Sequence, residues 1–255
     1  MIARPQHGMT TMSEGRGDST QALRPTTMRV GGLVPFSTMD WPGMLAAVVF
    51  AQGCPWRCRY CHNPHLLPTR GGQEHDWPTV RSWLATRTGL LDAVVFSGGE
   101  PTLQPGLGAA LREVRAMGFA TGLHTGGAFP RRLAEVLGDV DWIGFDIKAP
   151  LDDYAALTGV RLSGAAAYAS LEFALRAGVA LEVRTTIHPR TTPPAALRAI
   201  ACELAARGVR QWVLQAFRPQ GCADDDLAQA APRGASIDPS LVAQLRAVIP
   251  EIVLR

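Results

Sequence analysis

Apolar residues in this chain fall into short continuous runs separated by longer stretches of mixed character. Residues 44–51 form an unbroken β-branched and apolar run, as a strand buried on both faces requires, and similar runs recur at 93–96, 120–124, 142–145, 181–187 and 212–216. Between them lie segments with helical periodicity or helix-favouring composition at 77–85, 107–117, 130–137, 165–177 and 194–207, with another at 239–248 after the last strand. Gly118, Gly138, Gly178 and Gly208 stand where helix C-termini call for a left-handed residue. Alternating strands and helices predict parallel pairing through right-handed crossovers. Six such units are too few to close an eight-stranded barrel, so the expected fold is α/β, an incomplete (β/α)6 TIM-like barrel whose open side could admit another macromolecule. Residues 1–27 are rich in Gly, Ser, Thr, Arg and Gln without apolar periodicity, which predicts a disordered tail ahead of one domain at 28–255, with Met28 a candidate start.

Composition narrows the classes without choosing among them. At 255 residues and 47% hydrophobic content the chain can bury one large core. A net charge of +3 with scattered basic residues argues against nucleic acid or an anionic membrane as partner. No charged start plus apolar core marks a signal peptide, and residues 44–51 are too short to span a bilayer, so a cytoplasmic protein is expected. Five cysteines, three of them clustered, fit a reducing compartment and a metal better than a disulfide framework. Cys202, in an alanine-rich helical segment, and Cys222, in a Gly-rich loop, read as free thiols.

The cluster itself is the chemical signal. Cys54, Cys58 and Cys61 lie within eight residues, close enough to curl round one iron–sulfur cube and hold three of its four irons. The open iron can take a chelating ligand, and the amino and carboxylate groups of S-adenosylmethionine form a chelate of the right size. The competing reading is a structural zinc site of the three cysteines plus His62, although a fourth cysteine or second histidine at finger spacing is missing.

Phe36 to Gly43, then Gln52-Gly53-Cys54 through Cys61-His62-Asn63-Pro64, followed by Ser97-Gly98-Gly99-Glu100-Pro101-Thr102, Asp146-Ile147-Lys148 and Val183-Arg184, resemble the radical S-adenosylmethionine activating enzymes of glycyl-radical proteins. The similarity runs from about Val30 to near the C-terminus and is greatest to the activators of anaerobic ribonucleoside-triphosphate reductase, Asp40-Trp41 and the short length included. The resemblance implies a radical SAM barrel, one 4Fe-4S cluster and S-adenosylmethionine cleaved to a 5'-deoxyadenosyl radical. It further implies a glycyl-radical enzyme as partner and a flavodoxin or ferredoxin as electron donor. Gly98, Gly99 and Glu100 would hold the methionyl amino group, Tyr60 would lie beside the adenine, and Asp146 and Lys148 would bind ribose or the methionyl carboxylate. Asn63 follows the last ligand and would cap the loop or touch the cofactor. Asp146 and Lys148 share one side of a strand end by period two, while Arg184, inside an apolar strand, needs a carboxylate from the cofactor or from a protein acid. Where pyruvate formate-lyase activators carry an aspartate that holds a monovalent cation, this chain has His124, which leaves that cation site in question and makes His124 either a solvated loop residue or a cofactor contact. His188 reads as structural. Two rivals remain: a radical enzyme acting on a small molecule or peptide, and a zinc-stabilised binding module without catalysis.

Overall fold

The computed structural model describes residues 28–69, 75–231 and 237–255, and the predicted N-terminal tail lies outside them. The strands are β1 (Arg29–Ser37), β2 (Ala46–Ala51), β3 (His75–Asp76), β4 (Ala93–Gly98), β5 (Ala120–Thr125), β6 (Trp142–Asp146), β7 (Ala180–Ile187), β8 (Gln211–Ala216) and β9 (Glu251–Leu254). The helices are α1 (Trp77–Ala85), α2 (Leu107–Ala116), α3 (Pro130–Val136), α4 (Tyr154–Thr158), α5 (Ser163–Ala177), α6 (Pro194–Ala205), α7 (Asp225–Gln229) and α8 (Pro239–Arg246). They form one sheet in the order β3-β1-β2-β4-β5-β6-β7-β8-β9, parallel from β2 to β9 and antiparallel where β1 meets β2 and β3. The ends of this order do not pair, so the barrel is open.

All six predicted strands are present, but the parallel run holds a seventh, β9, after α8. The Glu251–Leu254 segment is too short to stand out from a helix end by periodicity. β1 was likewise not predicted, because Gly31, Gly32 and Pro35 interrupt its apolar pattern. Four helices, α1, α3, α6 and α8, carry proline in the first turn, where a missing N–H costs no hydrogen bond. Gly118, Gly178 and Gly208 have the expected positive φ, whereas Gly138 does not and sits inside a short 3-10 turn, Leu137–Asp139.

Side-chain alternation on the strands sets up the site. On β2 and β4, Ala47, Val49, Val94 and Phe96 face the main core beneath the helices, while Ala46, Val48, Ala93 and Val95 form a separate inner cluster. Small inner residues leave room for the Trp41 ring, which stacks on Trp142 at 5.2 Å and packs so closely on Gly122 that a Cβ there would lie 2.9 Å from it. Trp41 therefore plugs the barrel from within. Above this plug the inner positions become polar toward the C-terminal strand ends: His124 on β5, Asp146 on β6, Arg184 and Thr186 on β7, Gln215 on β8.

Candidate active site at the C-terminal strand ends

The loop after β2 carries the three cysteines and is pinned from both sides. Gly53 N–H donates to Leu66 O at 2.7 Å, Glu100 N–H to Gly53 O at 2.9 Å, and Arg57 N–H to Thr158 O at 2.8 Å. Cys54, Cys58 and Cys61 line one cavity of about 180 Å³ together with Tyr60, Asn63, Gly98, Gly99, Glu100, His124, Asp146, Lys148 and Arg184. Every residue selected from the sequence for the cluster or cofactor thus meets in one space. Burial, reinforced by the carboxylate of Glu100, pushes the Cys54 thiol up to about 12, and burial raises Cys58 as well. Without metal, Cys54 and Cys58 hold their protons, and ligation must release them.

His62 also lines this cavity, with its ring nitrogen engaged elsewhere. Its Nε2–H donates to Arg218 O at 2.9 Å and its ring stacks on Phe217 at 5.4 Å. Among the described residues no three His, Cys, Asp or Glu side chains converge as a single-ion site would require. Asn63 makes no side-chain capping bond and instead lines the cavity. Cys202 is exposed on α6; Cys222 is half-buried, with its thiol 3.6 Å from Arg59 O beside the cysteine loop. His188 is structural: Nδ1 accepts from Arg190 N–H and Nε2 donates to Leu227 O.

The two glycines at the end of β4 have a reason the sequence did not supply. A Cβ on Gly98 would lie 2.4 Å from Ala51 N, and one on Gly99 would lie 2.3 Å from Gly53 O. They let β2 and the cysteine loop approach the end of β4, while both glycines also line the cavity. Glu100 is buried, and its Oε1 accepts from Thr102 N–H, Thr102 Oγ1 and Thr125 Oγ1 while Oε2 accepts from Gly126 N–H at 3.1 Å. The carboxylate thereby ties the ends of β4 and β5 together on the cavity wall. Thr102, although inside the quoted motif, and Thr125 were given no role from sequence, because a threonine carries no signal for which carboxylate it will hold.

The charged cluster opposite resolves the question of Arg184. β6 and β7 place Asp146 and Arg184 directly across from each other, and Arg184 Nε donates to Asp146 Oδ1 at 3.0 Å. Its carboxylate is thus a protein acid. Lys148 Nζ lies 3.5 Å from Asp146 Oδ2, on the same side as expected, and Ile147 is fully buried on the other. Burial opposes ionisation of Asp146, but Arg184, Lys148 and His124 outweigh it and bring its carboxyl to about 2. Gly144 makes this cluster possible: a Cβ there would lie 2.6 Å from Arg184 Nη1 and 2.8 Å from the His124 ring. An isolated glycine in a strand, in phase with Trp142 and Asp146, was the available signal for it.

His124 is no solvated loop residue. Its Nε2 lies 2.7 Å from Asp40 O and 3.1 Å from Arg184 Nη1, and the ring meets Trp142 edge-on at 5.6 Å. One nitrogen serves one neighbour: with Nε2–H donating to Asp40 O, Arg184 Nη1 keeps a donor without an acceptor among the described residues. Burial, then the Arg184 charge, lowers the His124 pKa to about 3. The unfolded chain, with an imidazole near 6.5, therefore binds the extra proton between about pH 6.5 and 3, and stability falls with pH across that window. Between pH 6.5 and 5 the loss amounts to about 2 kcal/mol. Urea unfolding at the two pH values should show His124→Gln lacking this slope; equal slopes would refute the buried neutral imidazole.

A second cavity of about 410 Å³ opens laterally, lined by Ser37, Met39, Asp40, Gln215, Arg218 and Arg255. It shares His62, His124, Asp146, Arg184 and Thr186 with the thiol-lined cavity, so the two adjoin.

Residues 48–197, more than half of the chain, match the family model of the radical SAM superfamily. A putative glycyl-radical enzyme activating enzyme of Methanocaldococcus jannaschii is 29% identical over 211 residues, covering 77% of this chain and 83% of that protein. A pyruvate formate-lyase-activating enzyme of Clostridium pasteurianum is 35% identical over 137 residues, covering 51% of this chain and 57% of the relative. In structure, SuiB of Streptococcus suis bound to S-adenosylmethionine aligns with a TM-score of 0.57 at 12% identity, over 80% of this chain and 48% of that one. At that identity the likeness concerns the fold alone.

Proposed function

The chain belongs to the radical SAM superfamily, whose enzymes use a 4Fe-4S cluster and S-adenosylmethionine, and we propose that this member activates a glycyl-radical enzyme by removing hydrogen from a backbone glycine. When bound, the cluster and cofactor supply one-electron reductive cleavage of the sulfonium bond and, through it, hydrogen-atom abstraction. The residues present fit those groups. Three thiols share one cavity, the Tyr60 hydroxyl is buried there without a partner, and Arg184 Nη1 offers an unused donor.

Cys54, Cys58 and Cys61 would hold the cluster. Glu100 on one wall would face the cofactor ammonium, and Arg184, kept in place by Asp146, would face its carboxylate. Tyr60 would close the adenine side. The Trp41 plug below and the Trp56 ring, packed on Gly126, close two sides of the space. The observation that carries the macromolecular reading is the lateral opening that adjoins the thiol-lined cavity and shares five lining residues with it, along which an extended peptide loop could approach the reacting centre.

The proposed partner is anaerobic ribonucleoside-triphosphate reductase, on the resemblance around Asp40-Trp41, with a reduced flavodoxin or ferredoxin as electron source in the cytoplasm. No helix among the described residues is long and apolar enough to cross a membrane. The test is anaerobic reconstitution with iron and sulfide, then paramagnetic resonance with S-adenosylmethionine and either the reductase or pyruvate formate-lyase. A cluster signal that shifts with the cofactor, 5'-deoxyadenosine formation and a glycyl radical on the reductase are expected, all falling to background in Cys58→Ala. A radical on pyruvate formate-lyase alone would overturn the partner. 5'-Deoxyadenosine with neither radical would favour a small-molecule or peptide substrate, and a colourless zinc protein would overturn the enzyme reading.

A further inference from the structure

One face of the cysteine loop is left unused by cofactor and substrate. Arg57, the residue before Cys58, is exposed on the outer side of the loop, and its Nη1 donates to Cys54 O at 2.8 Å and Trp56 O at 3.0 Å. It forms no ion pair among the described residues. The turn between α4 and α5 docks against it: Arg57 N–H bonds Thr158 O, Arg59 N–H bonds Leu157 O, and a Cβ on Gly159 would lie 3.7 Å from the Arg57 Cβ. That turn continues through Arg161, exposed and without a polar partner among the described residues, to Leu162.

Leu162 is anomalous twice. It is the one non-glycine residue with positive φ among the described residues, at 61°, and at 75% exposure it is the most exposed large hydrophobic side chain. Left-handed backbone costs a branched side chain on the order of 1–2 kcal/mol, and glycine would remove that cost. Holding a leucine there presents an apolar knob next to Arg161, on the turn that packs against Arg57, beside the positive end of the α5 dipole. Acidic groups lie to either side: Asp224 is spent on Arg59 at 2.9 Å, and Asp152 and Asp153 sit at the far end of α4. An apolar anchor with unpaired cationic neighbours fits a partner with an acidic rim around an exposed apolar centre.

The reaction class needs one electron delivered to the cluster, and the lateral opening is required for substrate. The outer face of the cysteine loop, one residue from Cys58, is the remaining short route. We propose that Arg57, Arg161 and Leu162 form the docking surface for a small acidic one-electron carrier protein. This rests on the radical SAM reading above, and two measurements separate the surface from it.

The reconstituted holoenzyme is titrated with a purified flavodoxin by calorimetry at 50 and 200 mM salt, comparing wild type with Arg161→Glu and Leu162→Gly. Separately, 5'-deoxyadenosine formation is followed with reduced flavodoxin or with dithionite. Arg161→Glu should weaken flavodoxin binding about tenfold and reduce its salt dependence, since steering and register come from such charges. Leu162→Gly should weaken binding while raising thermal stability, because it relieves the backbone. Dithionite-driven turnover should stay within about twofold of wild type in both. Equal flavodoxin affinity in all three proteins would overturn the surface. Absence of dithionite-driven cleavage in wild type would overturn the enzymatic reading, with the affinities still deciding the surface.

Discussion

Gly98→Ala should unfold or severely loosen the cysteine loop, lowering stability by about 2–6 kcal/mol. Two separable costs contribute. The backbone at Gly98 has φ of 114°, outside the region open to an L side chain. Independently, the new methyl would lie 2.4 Å from Ala51 N, 2.7 Å from Ala51 O and 2.8 Å from Phe50 C, all backbone atoms of β2 that cannot rotate aside. Relief requires parting β4 from β2 just where the latter leads into Cys54. Gly118→Ala provides the internal control, because φ there is 92° but nothing lies within 4 Å of the added carbon. It should cost only about 1 kcal/mol. Urea unfolding of the two variants, with iron content after reconstitution, measures both effects. If they lose the same stability, close approach to β2 is not what requires the glycine at 98.

The strands were readable because each is buried on both faces, so its apolar run needs no periodicity to be seen; 93–96 and 142–145 are within two residues of the observed ends. β1 and β9 were not, one broken by glycine and proline and the other only four residues long. The site was legible as residue types at strand ends, and all of those residues line one cavity. What the chain could not disclose was who pairs with whom. Arg184 could be seen to need a carboxylate, but its identity as Asp146 depends on β6–β7 register. At Gly98 the chain could not disclose that the absent side chain also serves the packing of β2. At Gly144 a readable signal, an isolated glycine in a strand, was passed over, although it makes room for the Arg184 guanidinium.

Asp146→Asn should be the most damaging isosteric change in the charged cluster. It leaves Arg184, whose side chain is 9% exposed, and Lys148, at 15%, as two cations without the carboxylate that lies between them. Removing one partner of a buried ion pair costs about 3–5 kcal/mol, and Asp146, about one-third exposed, should fall near the lower end. The pH dependence identifies the mechanism. Because the carboxyl titrates at about 2 in the folded chain and near 3.9 when unfolded, its contribution is complete above about pH 4 and vanishes as pH falls through 2. The stability gap between wild type and Asp146→Asn should therefore be constant from pH 7 to 5 and narrow below 4. A double-mutant cycle with Arg184→Met should give a coupling of at least about 1 kcal/mol, since removing both partners leaves less uncompensated charge than removing the acid alone. Additivity within about 0.5 kcal/mol would mean that the 3.0 Å contact does not hold Arg184, and that the guanidinium is positioned instead by Gly144 and His124.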